Sequence, residues 1–163
     1  MKKETLDGIL RPARMADVKA VHALLTEFAD AGLLLGRSLS SLYDHLRDYL
    51  VFVVDEDGVQ RVVGVCSLHI CWEDLAEIRS LAVGRDFQGR GFGSKLVSGC
   101  LDEAGRLVIR RVFTPTYQPD FFRKFSFTEA DKNNLPHKVW SDCVNCPKFP
   151  DCNEVAMIRE GNL

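Results

Sequence analysis

Arg85-Asp86-Phe87-Gln88-Gly89-Arg90-Gly91-Phe92-Gly93-Ser94-Lys95-Leu96 separates two segments of opposite character. The apolar run from Ile78 to Val83 before it reads as a strand, and Leu96, Val97, Cys100, Leu101 and Ala104 after it recur at helical spacing. The segment is therefore a strand-to-helix turn. Gln88 to Lys95 contains three glycines and no acidic residue, so backbone N–H groups can converge on a ligand at a helix start. Unpaired amides and the positive end of the helix dipole together favour an anion, with phosphate or pyrophosphate the obvious guest. Three glycines alone are equally the mark of a tight turn; the strand, the arginines and the helix around them favour the anion site.

Two phosphate-binding patterns are excluded. The turn lacks the Gly-x-x-x-x-Gly-Lys-Ser/Thr spacing of a Walker loop and the Gly-x-Gly-x-x-Gly of a dinucleotide fingerprint. It does carry Gln-x-x-Gly-x-Gly as Gln88-Gly89-Arg90-Gly91-Phe92-Gly93, which resembles the acetyl-coenzyme A pyrophosphate loop of the GNAT family of N-acetyltransferases.

Composition agrees with a soluble globule. The 163 residues suit one domain spanning 1–163, and 46% hydrophobic with 27% charged residues are ordinary for a globule. Twenty-one basic against 23 acidic side chains leave a net charge of −2, which argues against nucleic acid or a membrane surface as partner. Without a signal-like N-terminus or a run of ~18 apolar residues, the expected location is the cytoplasm. A homodimer is compatible with the sequence.

Outward from the turn, Ile9-Leu10-Arg11-Pro12-Ala13 is a short strand, similar to the opening of many GNAT proteins, with Asp17 in a first helical turn. Val18, Val21, Leu24, Leu25 and Phe28 share one face of a helix that stops near Gly32. Leu39, Leu42, Leu46 and Tyr49 predict a second helix capped by Ser38 or Ser40. Runs at 51–54 and 61–68 are strands joined through Asp57-Gly58, a hairpin signal. A third strand from Leu75 or Ala76 to Val83 completes a meander. Beyond the turn, Gly105 is the expected helix end, Val108 to Phe113 a strand, Pro119 to Lys124 a helix, and strands begin at Ser126 and Val155. The expected fold is α/β: a GNAT acetyltransferase fold in which a mixed, mostly antiparallel sheet is flanked by helices.

The resemblance implies acetyl transfer from acetyl-CoA to an amine. Leu81, Ala82 and Val83 would hold the pantetheine arm and acetyl group, and Gln88, Gly89, Arg90, Gly91, Phe92, Gly93 and Ser94 the pyrophosphate. Glu77 is the candidate base, since burial raises a carboxylate pKa towards the value an amine-deprotonating group needs; an edge-strand carboxylate in solvent is the alternative. Where the family often has Phe-Tyr-x-Lys-x-Gly-Phe, this chain reads Phe121-Phe122-Arg123-Lys124-Phe125-Ser126-Phe127. Phe122 thus replaces the usual acid, leaving Tyr117, water, or unassisted thiolate departure for that role.

Gly32-Leu33-Leu34-Leu35-Gly36-Arg37-Ser38, read with Glu77 to Val83 and Phe121 to Lys124, is similar to the acetyltransferase domain of N-acetylglutamate synthases. That similarity implies glutamate as acceptor and a place in arginine biosynthesis. Arg37 would grip a carboxylate through its planar fork, with Arg79 or Lys124 taking the second. Larger members carry an arginine-binding kinase-like domain, which a chain of 163 residues is not expected to include. Rival expectations are another amine acceptor and a non-catalytic acetyl-CoA sensor.

The tail poses a separate question. His137, Cys143, Cys146 and Cys152 are four soft donors within sixteen residues. They fit a Cys3His zinc site, inert packed thiols or a redox pair, and the spacing leaves all three open.

Overall fold

The structure is a computed structural model that describes residues 7–135 and 154–161. His137, Cys143, Cys146 and Cys152 lie outside these residues. Among the described residues, no group of three or more His, Cys, Asp or Glu side chains is arranged to hold a metal ion, and no helix is long and apolar enough to cross a membrane.

Among the described residues, seven strands form one mixed sheet: β1 (Gly8–Pro12), β2 (Tyr49–Glu56), β3 (Val59–Trp72), β4 (Leu75–Val83), β5 (Arg111–Thr116), β6 (Thr128–Glu129) and β7 (Val155–Glu160). Their order is β1-β2-β3-β4-β5-β7-β6. The helices are α1 (Val18–Asp30), α2 (Leu39–Asp44), α3 (Phe92–Arg106) and α4 (Pro119–Arg123). Pairing is antiparallel in β1–β2, β2–β3, β5–β7 and β6–β7, and parallel between β4 and β5, as expected of the mostly antiparallel sheet. The chain divides into two compact units, Met1–Ser67 with Ser80–Cys100 and Leu68–Arg79 with Leu101–Leu163.

In the first unit the expected face of α1 supplies Val18, Val21, Leu25 and Phe28 to a core shared with Tyr49, Val51, Val53 and Val65. The Asp57-Gly58 hairpin forms as read: φ is 55° and 82° at these residues, the left-handed pair that a two-residue type I′ turn needs. Asp17 does more than face a helix dipole. It ends a 3-10 turn, forms a two-pronged ion pair with Arg11 at 2.6 and 3.1 Å, and accepts the Arg14 N–H at 2.7 Å. The Arg11 hydrogen bond is the main reason its carboxyl sits below the usual range.

α2 corrects the sequence reading. Ser38 caps it, accepting the Ser41 N–H at 3.1 Å, but the helix ends at Asp44 rather than running on to Tyr49. Tyr49 instead opens β2, paired with Ser67, and its carbonyl accepts the Ala13 N–H at 2.9 Å. Sheet hydrogen bonds claim a backbone whose side-chain spacing alone suits a helix.

In the second unit, the expected helix end at Gly105 and strand start at Val108 both move. α3 continues to Arg106 and closes with Ile109 N–H on the Ala104 carbonyl (2.9 Å) and Val108 N–H on the Gly105 carbonyl (3.1 Å). This is a Schellman closure, with Val108 at φ 61° in the place glycine usually takes. α4 closes the same way, Phe127 on Phe122 and Ser126 on Arg123, with Ser126 at φ 66° where the family pattern has glycine. β5 therefore starts at Arg111, where its N–H reaches the Asp74 carbonyl at 2.9 Å and its guanidinium grips the Asp74 carboxylate.

Candidate active site

In the first unit, the end of β4 and the glycine turn are tied to β3 by the Gly84 N–H on the Val63 carbonyl at 2.8 Å. The Gln88 side-chain amide donates to the Val83 carbonyl at 3.0 Å, so this side chain closes the turn back onto the strand. Gly89 and Gly91 have φ of 73° and 82°, and a Cβ built on either meets no atom within 4 Å. The space above both glycines is open, and both conformations are ones that L side chains resist.

α3 starts immediately after, and Lys95 N–H closes its first turn on the Gly91 carbonyl at 3.1 Å. The first N–H groups of such a helix have no partner within it. Phe92 fixes this end in place: its buried ring stacks on Phe52 at 4.1 Å. One turn deeper, Leu96 lies so close to Gly64 that a Cβ there would come within 2.9 Å of it, and a Cβ on Gly99 would meet Leu10 at 2.6 Å. Such close approach holds the helix start against the sheet.

Four cations surround the turn. Arg61 and Arg90 both lie over the buried Phe87 ring, at 5.3 and 5.9 Å from its centre, and Lys95 lies over Phe52 at 5.6 Å. Arg85 pairs with Glu27 at 3.3 Å. Open glycines, a rigidly seated helix start and ring-held cations fit a pyrophosphate. Leu81 and Val83 are half-buried, whereas Ala82 points into the core. Arg37, also in this unit, is half-buried in the segment between α1 and α2.

The second unit holds the other candidates. Glu77 lies on β4 opposite Phe113 of β5 and is only 7% exposed, so the reading of it as a solvent-facing edge carboxylate is set aside. The β4–β5 register covers Leu75, Ala76 and Glu77. At the next residue a side chain intervenes, the Thr114 hydroxyl donating to the Ile78 carbonyl at 2.8 Å. Arg79 and Tyr117 are half-buried, and Lys124 is exposed at the end of α4. Phe122, in the position of the family tyrosine, is buried and meets Phe121 and Phe127 edge-on at 5.1 and 5.4 Å. It is a packing residue.

Sequence reasoning missed Ser80. It adopts φ 57° within β4, and among the described residues its buried Oγ has no hydrogen-bond partner. The available signal was a hydroxyl in line with Ala76, Ile78 and Ala82, the apolar alternate positions of this strand. The cysteines of the described residues, Cys66, Cys71 and Cys100, are buried and in no disulfide. A hydrogen bond with Cys100, then burial, pushes the Cys66 thiol well up, away from nucleophilic use.

Comparison with known proteins agrees with this geometry. The sequence matches the Acetyltransferase (GNAT) family over residues 20–127. It is 38% identical over 156 residues to an uncharacterized N-acetyltransferase of Chlorobaculum tepidum, covering 94% of this chain and 96% of that protein. The amino-acid acetyltransferase of Mycobacterium tuberculosis is 34% identical over 134 residues, covering 82% and 76%. Among solved structures, N-acetylglutamate synthase from Neisseria gonorrhoeae, complexed with coenzyme A and N-acetyl-glutamate, aligns with a TM-score of 0.84 at 25% identity. That alignment covers 96% of this chain and 36% of the synthase. A Mycobacterium tuberculosis protein in complex with CoA and NLQ aligns with a TM-score of 0.80 at 29% identity, covering 94% and 99%.

Proposed function

The chain belongs to the GNAT acetyltransferase family, and on that premise we propose that it transfers the acetyl group of acetyl-CoA to the α-amine of L-glutamate. The observation that supports cofactor use most directly is the glycine turn, with Gly89 and Gly91 at positive φ under open space at the start of α3. The acceptor rests on kinship with amino-acid acetyltransferases over most of the chain and on the arginines. In this reading the protein acts in the cytoplasm, in arginine biosynthesis, as one acetyltransferase domain.

Bound acetyl-CoA supplies an activated thioester. The chain's own residues do the rest. Backbone N–H groups from Gly89 to Ser94 hold the pyrophosphate, and backbone groups of Leu81 and Val83 hold the arm. Glu77 takes the proton from the ammonium, directly or through water, so that the nitrogen lone pair can attack the carbonyl. As the C–N bond forms, the C–S bond breaks and the thiolate leaves, with Tyr117 or water donating its proton. Arg37 holds one carboxylate of the acceptor through its planar fork, and Arg79 or Lys124 meets the other.

The decisive experiment is acetyl-CoA turnover with a panel of amino acids and polyamines. Glutamate is expected to give the highest kcat/KM; a preference for a cationic amine would overturn the acceptor assignment. Burial of Phe122 among aromatic rings supports one rival, a sensor that binds acetyl-CoA without turnover, and the same panel would reveal it as binding with no product. The zinc reading of His137, Cys143, Cys146 and Cys152 rests on their spacing. Elemental analysis of protein purified without added metal tests it, with about one zinc per chain expected and metal-free protein refuting it.

A further inference from the structure

Ser80 combines two unfavourable features in one residue. Its φ of 57° lies in the left-handed region, which a residue with a Cβ adopts at a cost. Its side-chain oxygen is shielded from solvent and, among the described residues, has no hydrogen-bond partner, in a residue only 9% exposed. Buried hydroxyls are nearly always satisfied, and an orphan calls for a physical reason. Packing does not require the oxygen, because an alanine methyl would fill much the same volume.

The position of Ser80 supplies the reason. It immediately precedes Leu81, Ala82 and Val83, the end of β4 that leads through Gly84 into the glycine turn. Leu81 and Val83 are half-buried while Ala82 faces the core. A hydroxyl lacking a protein partner at the head of this segment matches a ligand that brings an acceptor with it. The acylated pantetheine arm of coenzyme A carries amide and thioester carbonyl oxygens along its length, each able to accept such a hydrogen bond.

We infer that the Ser80 hydroxyl is a ligand-binding group, donating its hydrogen bond to a carbonyl oxygen of the acylated pantetheine arm. This deepens the cofactor reading above and rests on it. The free protein then carries an unsatisfied group that binding satisfies, so ligand affinity and free-state stability are opposed at this one side chain.

The test uses Ser80→Ala and Ser80→Gly. Melting temperature is measured without ligand, and dissociation constants are measured by calorimetry for acetyl-CoA and for CoA. Ser80→Ala is expected to melt a few degrees higher than wild type without ligand, since the orphan is removed. It should bind acetyl-CoA about 3- to 10-fold more weakly, the loss of one hydrogen bond. Ser80→Gly also relieves the backbone and should melt higher still, with the same loss of affinity. Weakening for acetyl-CoA alone identifies the thioester carbonyl; equal weakening for CoA identifies a pantetheine amide. If Ser80→Ala melts lower, or binds both ligands as wild type does, the hydroxyl is structural and the inference fails. If wild-type protein binds neither ligand, it is the cofactor reading that fails.

Discussion

Replacing Gly91 with Asp should abolish coenzyme A binding while leaving a folded protein, and the two effects can be sized separately. Gly91 has φ 82°, so any side chain there incurs the left-handed strain of about 1–2 kcal/mol. No clash adds to this, because a Cβ at Gly91 meets no atom within 4 Å. For a chain of 163 residues, a drop of about 2–8 °C in melting temperature is expected. Binding is affected differently. A carboxylate roughly 5 Å from one phosphate charge, at an effective dielectric of about 20, costs about 3 kcal/mol. That is more than 100-fold in affinity, and a second phosphate charge adds to it. Gly91→Ala separates the causes, since it carries the same strain and part of the bulk but no charge. Calorimetry with CoA at two salt concentrations reads the difference, which should shrink as salt rises. If Gly91→Asp binds CoA no worse than Gly91→Ala does, the turn is not the pyrophosphate site.

Glu77→Gln should lower kcat by about 100-fold or more and flatten the acidic limb of the pH–rate profile, because Gln cannot accept the ammonium proton; an unchanged profile moves the base elsewhere. Arg37→Lys should raise KM for the amino acid far more than for acetyl-CoA, since charge is kept and the planar fork lost. Equal effects on both substrates, read by steady-state kinetics, would make Arg37 a structural residue. Val108→Gly should stabilise the protein by about 0.5–1 kcal/mol, the left-handed strain relieved less the extra freedom of the unfolded chain, and denaturant melts check it. The Asp17 carboxyl is depressed in the folded state, mainly by its Arg11 hydrogen bond. Its stabilisation is therefore fully present above the unfolded value of about 3.9 and is lost as pH falls through the lower folded value. Asp17→Asn should melt lower than wild type at pH 7, with the gap closing in acid; a gap independent of pH would show that the ion pair contributes nothing.

Much of the site was readable because it is written locally. The strand, the three glycines and the periodic apolar face after them lie within about thirty residues, and backbone chemistry alone makes that order a turn at a helix start. Asp57-Gly58 specified its hairpin for the same reason, since few residues tolerate the paired left-handed conformation. The faces of α1 and α3 followed from a period of 3.6. In each case the determining atoms are neighbours along the chain.

What only the tertiary structure decided depends on partners distant in sequence. Tyr49 has helical spacing to Leu46 and Leu42, yet the ladder to Ser67 and the bond from Ala13 make it a strand residue. Gly105 looks like the end of α3, but the helix passes it to Arg106 and is closed by Val108, a β-branched residue that propensity would never place at a left-handed position. That Phe122 replaces the family tyrosine is plain from the sequence, but only the fold packs its ring edge-on against Phe121 and Phe127. Glu77 became a buried carboxylate only through the pairing of β4 with β5. Ser80 is the sharpest case: sequence gives a hydroxyl in an apolar strand, and only the folded chain shows that it is buried, left-handed and without a protein partner among the described residues. Local sequence sets the preferences of a segment. Packing and hydrogen bonding against distant strands decide which of them are realised, because a buried backbone group must find a partner wherever the fold provides one.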